Sequence, residues 1–163
     1  MADSRSPITR DLVADYLNVG ASGAEKFELM ATFETIDENP NAQTTEKHYT
    51  ANKSASVITA GYKTQFPIVG DMYRNDAVME YLRDIAEEQK LGIETDFVRV
   101  RLYQPIESKA GVYYARKFRV GFEISSISGS GGELMSLDGN MNAQSDAIVG
   151  EFDIKTKTFT AKE

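Results

Sequence analysis

The chain contains no cysteine and only one histidine. Without cysteine there is no disulfide framework, no thiolate nucleophile and no cysteine-ligated metal or iron–sulfur centre. His48 stands in a polar stretch among Thr and Lys, outside any ligand spacing, and reads as a surface-loop residue. Long apolar runs are missing too: Asp, Glu and Lys interrupt the hydrophobic residues too often for a spanning helix, which needs about eighteen apolar residues in succession. The opening stretch MADSRSPITRDLVADYLNVG has neither an apolar core nor a small-residue cleavage site, so a secretory signal is not expected there. Positive charge is scarce as well. Against 18 Lys and Arg stand 25 Asp and Glu, a net charge of −7, which disfavours tight wrapping of nucleic acid and attachment to anionic membranes.

What is present suits a single domain. At 163 residues a chain can bury about 70% of the surface its unfolded form exposes, without a metal or disulfide staple. Residues 1–24 show no sustained period. Leu12, Val13, Tyr16 and Leu17 suggest one or two amphipathic turns before the flexible residues 21–24, and the segment reads as an extended N-terminal arm. From Phe27 the pattern changes: Phe27, Leu29, Ala31 and Phe33 alternate with Glu28, Met30, Thr32 and Glu34, the period of a half-buried strand. Residues 36–55 contain almost no large apolar side chain and read as a long loop, and loops of that length are commonly functional or mobile.

Residues 56–73 predict a strand bent near Gly61 and ended by Pro67 and Gly70. A helix over about 76–90 follows, capped by Asn75 or Asp76, with Val78, Tyr81, Leu82, Ile85 and Ala86 on one face and Gly92 beyond its end. Strand patterns then recur at 96–104, 112–127, 133–142 and 147–153, with a short last strand at Phe159. Residues 25–163 therefore predict one α+β, mainly β domain: an antiparallel β-sandwich or partial barrel flanked by one α-helix.

Catalytic constellations are hard to find. The glycine-rich residues 128–132 lack the Lys-Ser/Thr and the helix that a phosphate cradle needs, and read as a hairpin turn. Glu87 and Glu88 point apart on a helix, and Asp37 with Glu38 has no fixed partner. No nucleophile–base pair, metal cluster or cofactor fingerprint is legible, so no enzyme, metal or cofactor is expected. The one local charge asymmetry is basic: Arg99 and Arg101 share a strand face, while Arg116, Lys117 and Arg119 crowd the next strand. The overall acidity favours pairing with acidic neighbours over a nucleic-acid patch.

Residues 132–163, GELMSLDGNMNAQSDAIVGEFDIKTKTFTAKE, resemble the closing segment of the major tail proteins of long-tailed bacteriophages. There a strand of the form G-x-F-D leads through a polar turn into T-K-x-F-T, which here reads Gly150, Phe152, Asp153, Thr156, Lys157, Phe159 and Thr160. The order of the other elements is similar, so the likeness spans nearly the whole chain. The resemblance implies a tail-tube subunit. Six copies form a ring by joining their inner strands, and rings stack into a conduit that DNA traverses without specific binding. It further implies contacts with tape-measure, tail-terminator and distal tail proteins, a place in the virion tail, and assembly in the host cytoplasm.

The terminal arm and the loop are then expected to bridge successive rings, with Asp37, Glu38, Asn41, Lys47, His48 and Tyr49 as loop candidates. An acidic lumen would repel phosphate, and Glu28, Glu34, Asp138, Glu151 and Asp153 are the candidates to face it. Arg99, Arg101, Lys117 and Arg119 are expected at a subunit interface, because positive charge in the bore would retain DNA. Two rivals remain: a tail terminator or head–tail connector, which forms one ring and stops, and a monomeric small-ligand-binding β-barrel.

Overall fold

The computed structural model describes residues 4–21 and 23–163. Eleven strands and one α-helix are present: β1 (Val13–Asn18), β2 (Phe27–Leu29), β3 (Phe33–Ile36), β4 (Ala42–Lys47), β5 (Ser56–Tyr62), β6 (Gln65–Asp71), α1 (Ala77–Glu87), β7 (Glu94–Pro105), β8 (Val112–Ser128), β9 (Ser136–Ala143), β10 (Ile148–Asp153) and β11 (Thr158–Ala161). Nine strands form one antiparallel sheet in the order β2-β1-β7-β8-β9-β6-β3, with β10 paired to β8 and β11 to β10; β4 and β5 pair only with each other. The sheet does not close into a barrel.

The seventeen-residue strand β8 organises this sheet. Along one edge it pairs with β7, and along the other it pairs first with β10 through residues 112–117 and then with β9 from Val120 onward. The sheet therefore serves two cores on opposite faces. Phe97 and Phe118 point into the larger one with Leu17, Phe66, Ile68, Leu137 and Met141. Val98, Val100 and Ala115 point the other way, against Tyr16, Phe27 and Phe152. This is the period of two read from both sides of one strand pair.

β2 and β3 lie at opposite ends of the strand order, yet only residues 30–32 separate them. Four Cα steps reach at most about 14 Å, so the sheet must curl until its two borders come close. The corner is fastened on both sides: Met30 N–H donates to Asp15 O at 2.9 Å, and Asp71 N–H donates to Thr32 O at 2.9 Å. The expected single strand through 27–33 is thus two strands, because Met30 turns inward and is buried while Leu29 is exposed. α1 supplies Val78, Met79, Leu82 and Ile85 to the larger core. Its N-terminus is capped by Asp76, which accepts from Met79 N–H at 2.9 Å.

Residues 13–18 correct the expectation of an arm. They form an inner strand between β2 and β7, with Asp15, Tyr16, Leu17 and Asn18 buried. Both faces of this strand are covered, so no alternation marks it in the sequence. Residues 1–3 and 22 of the predicted arm lie outside the described residues. The predicted loop also contains regular structure, since β4 lies within it and pairs with β5 as a hairpin. Every residue of β4 is exposed, which is why no hydrophobic pattern announced it. Gly61 lies at the bulge of this hairpin, where the register shifts between Gln43 and Thr44.

Two glycines are required by close approach. A Cβ on Gly139 would stand 2.5 Å from Glu123 O, and one on Gly150 would stand 2.2 Å from Thr160 O. Gly150 opens the G-x-F-D stretch, and its bareness lets β11 lie against β10 with Phe159 opposite Phe152.

Phe152 is fully buried, 4.6 Å from the Tyr16 ring and edge-on to Phe27 at 5.9 Å. Replacing Phe152 with Ala should cost about 3–5 kcal/mol in urea unfolding; a loss under about 1 kcal/mol would mean that the smaller core does not hold the C-terminal strands. Burial pushes the Tyr16 phenol above its ordinary value of 10.0. The folded state then binds a proton that the unfolded state releases. Its contribution is complete below pH 10 and lost as pH rises through the folded value. Tyr16→Phe should flatten the fall in stability above pH 10, as measured by urea midpoints across the alkaline range.

Candidate functional site

The surfaces that could act lie at the open borders of the sheet, on the hairpin, and in the charge pattern between them. Among the described residues no group of three His, Cys, Asp or Glu is arranged to hold a metal ion. The interior of the curled sheet is filled by Phe66, Phe97, Phe118, Leu137 and Met141.

The hairpin β4–β5 leaves the body at residues 39–41 and returns at 63–65. Asn39 and Gln65 exchange backbone hydrogen bonds at 2.8 and 2.9 Å, and Lys63 N–H donates to Pro40 O and Asn41 O at 3.1 Å. Asn41 has φ +48° and donates its side-chain amide to Lys63 O at 3.1 Å. Beyond this root the ribbon stands free, with Val57, Ile58, Tyr62 and Tyr49 exposed. A two-stranded ribbon is marginal in water by itself, so its exposed apolar residues suit a surface that other chains cover.

An ion network pins the root. Arg116 grips Glu38 with both ends of its guanidinium, at 3.1 and 2.6 Å. Arg99 holds Asp15 at 2.8 and 3.2 Å and donates to Ile36 O at 2.6 Å, and its Nη1 lies 3.7 Å from Glu38. Arg10 closes the group on Asp15 at 2.6 Å. Asp15 is only 1% exposed at its side chain, and a buried carboxylate persists only when paired and hydrogen-bonded. Sequence reasoning missed Asp15, although an acid inside the apolar LVADYL stretch is a signal for a buried partner. Arg116 stood out in the sequence only as one of three cations crowding its strand, and Glu38 only as a carboxylate with no fixed partner.

The four basic candidates divide between the two faces of the sheet. Arg99 is 12% exposed and satisfied within the chain; Arg101 follows two residues later on the same face. Lys117 is on the opposite face, 5.2 Å from the centre of the Phe159 ring. Arg119 reaches Asp96 at 3.3 Å and Glu94 at 3.7 Å.

The five acidic candidates divide as well. Glu28 pairs with Lys157 at 3.2 Å and Lys26 at 3.8 Å, Glu151 pairs with Lys109 at 2.6 Å, and Asp153 accepts from Lys155 and Thr156 N–H in the β10–β11 turn. Glu34 is exposed at the bulge of β3, and Asp138 is half-buried on β9. Of the loop candidates, Glu38 is clamped and Asn41 shapes the root. His48 bonds Asn52 O at 2.9 Å. Asp37 is exposed and donates its N–H to Pro67 O at 3.0 Å, Lys47 ends β4, and Tyr49 is exposed beyond it.

A pattern that the sequence reading did not catch emerges on β3, β6, β9 and residues 121–128 of β8: none of them carries Lys or Arg. Phe66, Ile68, Leu137 and Met141 point inward. The register therefore sends Gln65, Pro67, Val69 and Asp71 outward beside Asn142, Asn140, Asp138 and Ser136. Glu123 joins them opposite Asn140. This outer face carries Glu34, Asp71, Glu123 and Asp138 and no cation.

No protein-family profile and no curated protein matches the sequence. Solved structures do match in fold. The SPP1 tail tube matches over 88% of this chain and 78% of its own, with a TM-score of 0.68 and 14% identity. A subunit of the tail of an empty gene transfer agent particle, refined with C6 symmetry, matches over 95% and 100%, with a TM-score of 0.62 and 15% identity. The sheath/tube terminator of the PVC extracellular contractile injection system matches over 90% and 99%, with a TM-score of 0.54 and 8% identity. The chain thus has the tail-tube fold.

Glu38→Gln removes the charge that Arg116 grips while keeping the side chain's size. It should cost about 1–3 kcal/mol and speed amide exchange at Asn39 and Gln65, leaving the β4–β5 cross-strand amides as they were. Unchanged exchange at the root would show that the ion pair does not hold the hairpin.

Proposed function

We propose that this protein is the structural subunit of a bacteriophage tail tube, assembling into stacked hexameric rings that conduct DNA, without catalysis and without a cofactor. The observation that carries the reading is the fold match over 88–95% of the chain to assembled tail structures, one of them of C6 symmetry. Its place in this reading is the virion tail, with assembly in the host cytoplasm and contacts to tape-measure, terminator and distal tail proteins.

The physical chemistry supports assembly. Among the described residues the outer edges of β2, β3 and β11 have no strand partner, and beyond Gly121 β8 is paired only on its β9 side. Open edges invite pairing with other chains, and in a closed ring each edge is completed by a neighbour. The hairpin, exposed and unsupported beyond its root, serves as the bridge between rings, with Lys47, His48 and Tyr49 near its tip. The cation-free face of β3, β6, β9 and residues 121–128 lines the bore. DNA binding is driven by Lys and Arg displacing counterions from phosphate, so a wall offering no Lys or Arg lets the duplex slide. Of the acidic candidates, Glu34 and Asp138 belong to this wall and are joined by Asp71 and Glu123; Glu28, Glu151 and Asp153 belong to the ion-paired region around β10 and β11.

Electron microscopy of the purified chain over a concentration series tests the reading. Tubes of indefinite length are expected. Single rings would indicate a terminator-like role, in keeping with the terminator among the fold matches, and a monomer at every concentration would refute a tube. The wall assignment has its own test. Tubes of Glu123→Lys subunits should retain short duplex DNA at about 0.15 M salt and release it as salt rises, whereas unsubstituted tubes should not retain it. Substituted tubes that leave DNA equally free would place this face outside the bore.

A further inference from the structure

Strand register sets two rows of side chains side by side on the face that carries Asp15. One row runs Asp15, Arg99, Arg116, Val149, and beside it Val13 pairs with Arg101 and Tyr114 pairs with Glu151. The first row is satisfied from within: Asp15 takes Arg99 and Arg10, and Glu38 takes Arg116. In the second row Glu151 takes Lys109. Among the described residues Arg101 alone of these arginines has no carboxylate. Its guanidinium lies 4.4 Å from the centre of the Tyr114 ring and donates one bond, to Gln104 Oε1 at 3.3 Å. Beside it Val13, Glu38, Arg99, Arg101, Tyr103 and Arg116 enclose a cleft of about 250 Å³. Arg116 Nε is buried without a hydrogen-bond partner.

We infer that this cleft is a docking site for a carboxylate side chain of a second copy of the chain. The inference rests on the self-assembly proposed above and adds the contact that would direct it. With Arg99 paired to Asp15 and Arg116 to Glu38, Arg101 leaves the cleft wall with an uncompensated positive charge, opposite in sign to the chain as a whole, which carries −7. Two such chains repel at long range, so a local positive socket is where a carboxylate-rich partner gains most. Stacking on Tyr114 holds the Arg101 fork in place before anything binds, which lowers the ordering cost of a bidentate contact. Tyr103 and Val149 are each 39% exposed and give the socket an apolar rim. Arg and Tyr beside a desolvated pocket are the residue types that carry binding energy between proteins. Lys117 and Arg119 have no part in it, since they face the other way.

The experiment compares unsubstituted subunits with Arg101→Glu subunits by sedimentation velocity and electron microscopy over one concentration series, after both are shown to share a thermal transition and circular dichroism spectrum. The variant should need about tenfold more protein or higher to assemble, and Arg101→Lys, which keeps the charge without the planar fork, should recover part of the difference. If Arg101→Glu fails to fold, Arg101→Gln replaces it with the same criterion. Substituted subunits that assemble at the unsubstituted concentration overturn the docking site and leave the tube reading standing, while unsubstituted subunits that never associate overturn both. A second arm titrates short duplex DNA at the same salt. Binding that depends on Arg101 while assembly does not would make the cleft a phosphate site and overturn the inference.

Discussion

One strand with three partners constrains the rest of this molecule. Because β8 pairs with β7 along one edge as far as Gly121 and divides the other edge between β10 and β9, the sheet cannot be a simple two-faced layer with one core. Its β10-paired stretch presents Ala115 to the smaller core, the residues just beyond present Phe118 and Val120 to the larger one, and both cores depend on the same backbone ladder. The curl that brings β2 and β3 near each other follows, because a twisted sheet anchored on a shared central strand wraps around its apolar contents.

The same arrangement leaves backbone incomplete at the borders. A soluble monomer normally blunts such edges, whereas here, among the described residues, the edges of β2, β3 and β11 are open and β4 and β5 pair only with each other. Only the root is fixed, by Glu38 on Arg116 and by the Asn39–Gln65 bridge. A rigid root under a bare ribbon defines the direction of a projecting element and leaves its contacts to other chains.

Charge is sorted by the fold in a way that total composition hides. Cations gather around the β7–β8 pairing, where Arg99, Arg101 and Arg116 share a face, while β3, β6, β9 and the far end of β8 hold carboxylates but no Lys or Arg. In the proposed assembly the first group would serve as a socket for acidic partners and the second as a wall that phosphate has no reason to bind. Both are needed if a tube is to cohere with itself and slip on DNA.

Much of the local structure was legible in the residues. The helix showed through its period and its Asp76 cap, and β7 to β10 showed through alternation, because each follows one periodicity over most of its length. The tail-tube fold was legible in the order of elements and in the residues from Gly150 to Thr160. β1 was not, since a strand covered on both faces has no alternation; nor was β4, since a strand exposed on both faces has none either. The break at Met30 was hidden because alternation ran through it. The candidate site residues depended on tertiary structure most of all. Sequence could mark Arg99, Arg101, Glu34 and Asp138 as charged strand positions, but register and curl decided that Arg99 meets Asp15, that Arg101 meets no acid, and that Asp138 shares a face with Glu123. Periodicity acts over neighbours in the chain and is written in the sequence; the pairing of charges acts between residues up to 129 apart, and only the folded sheet brings them within reach.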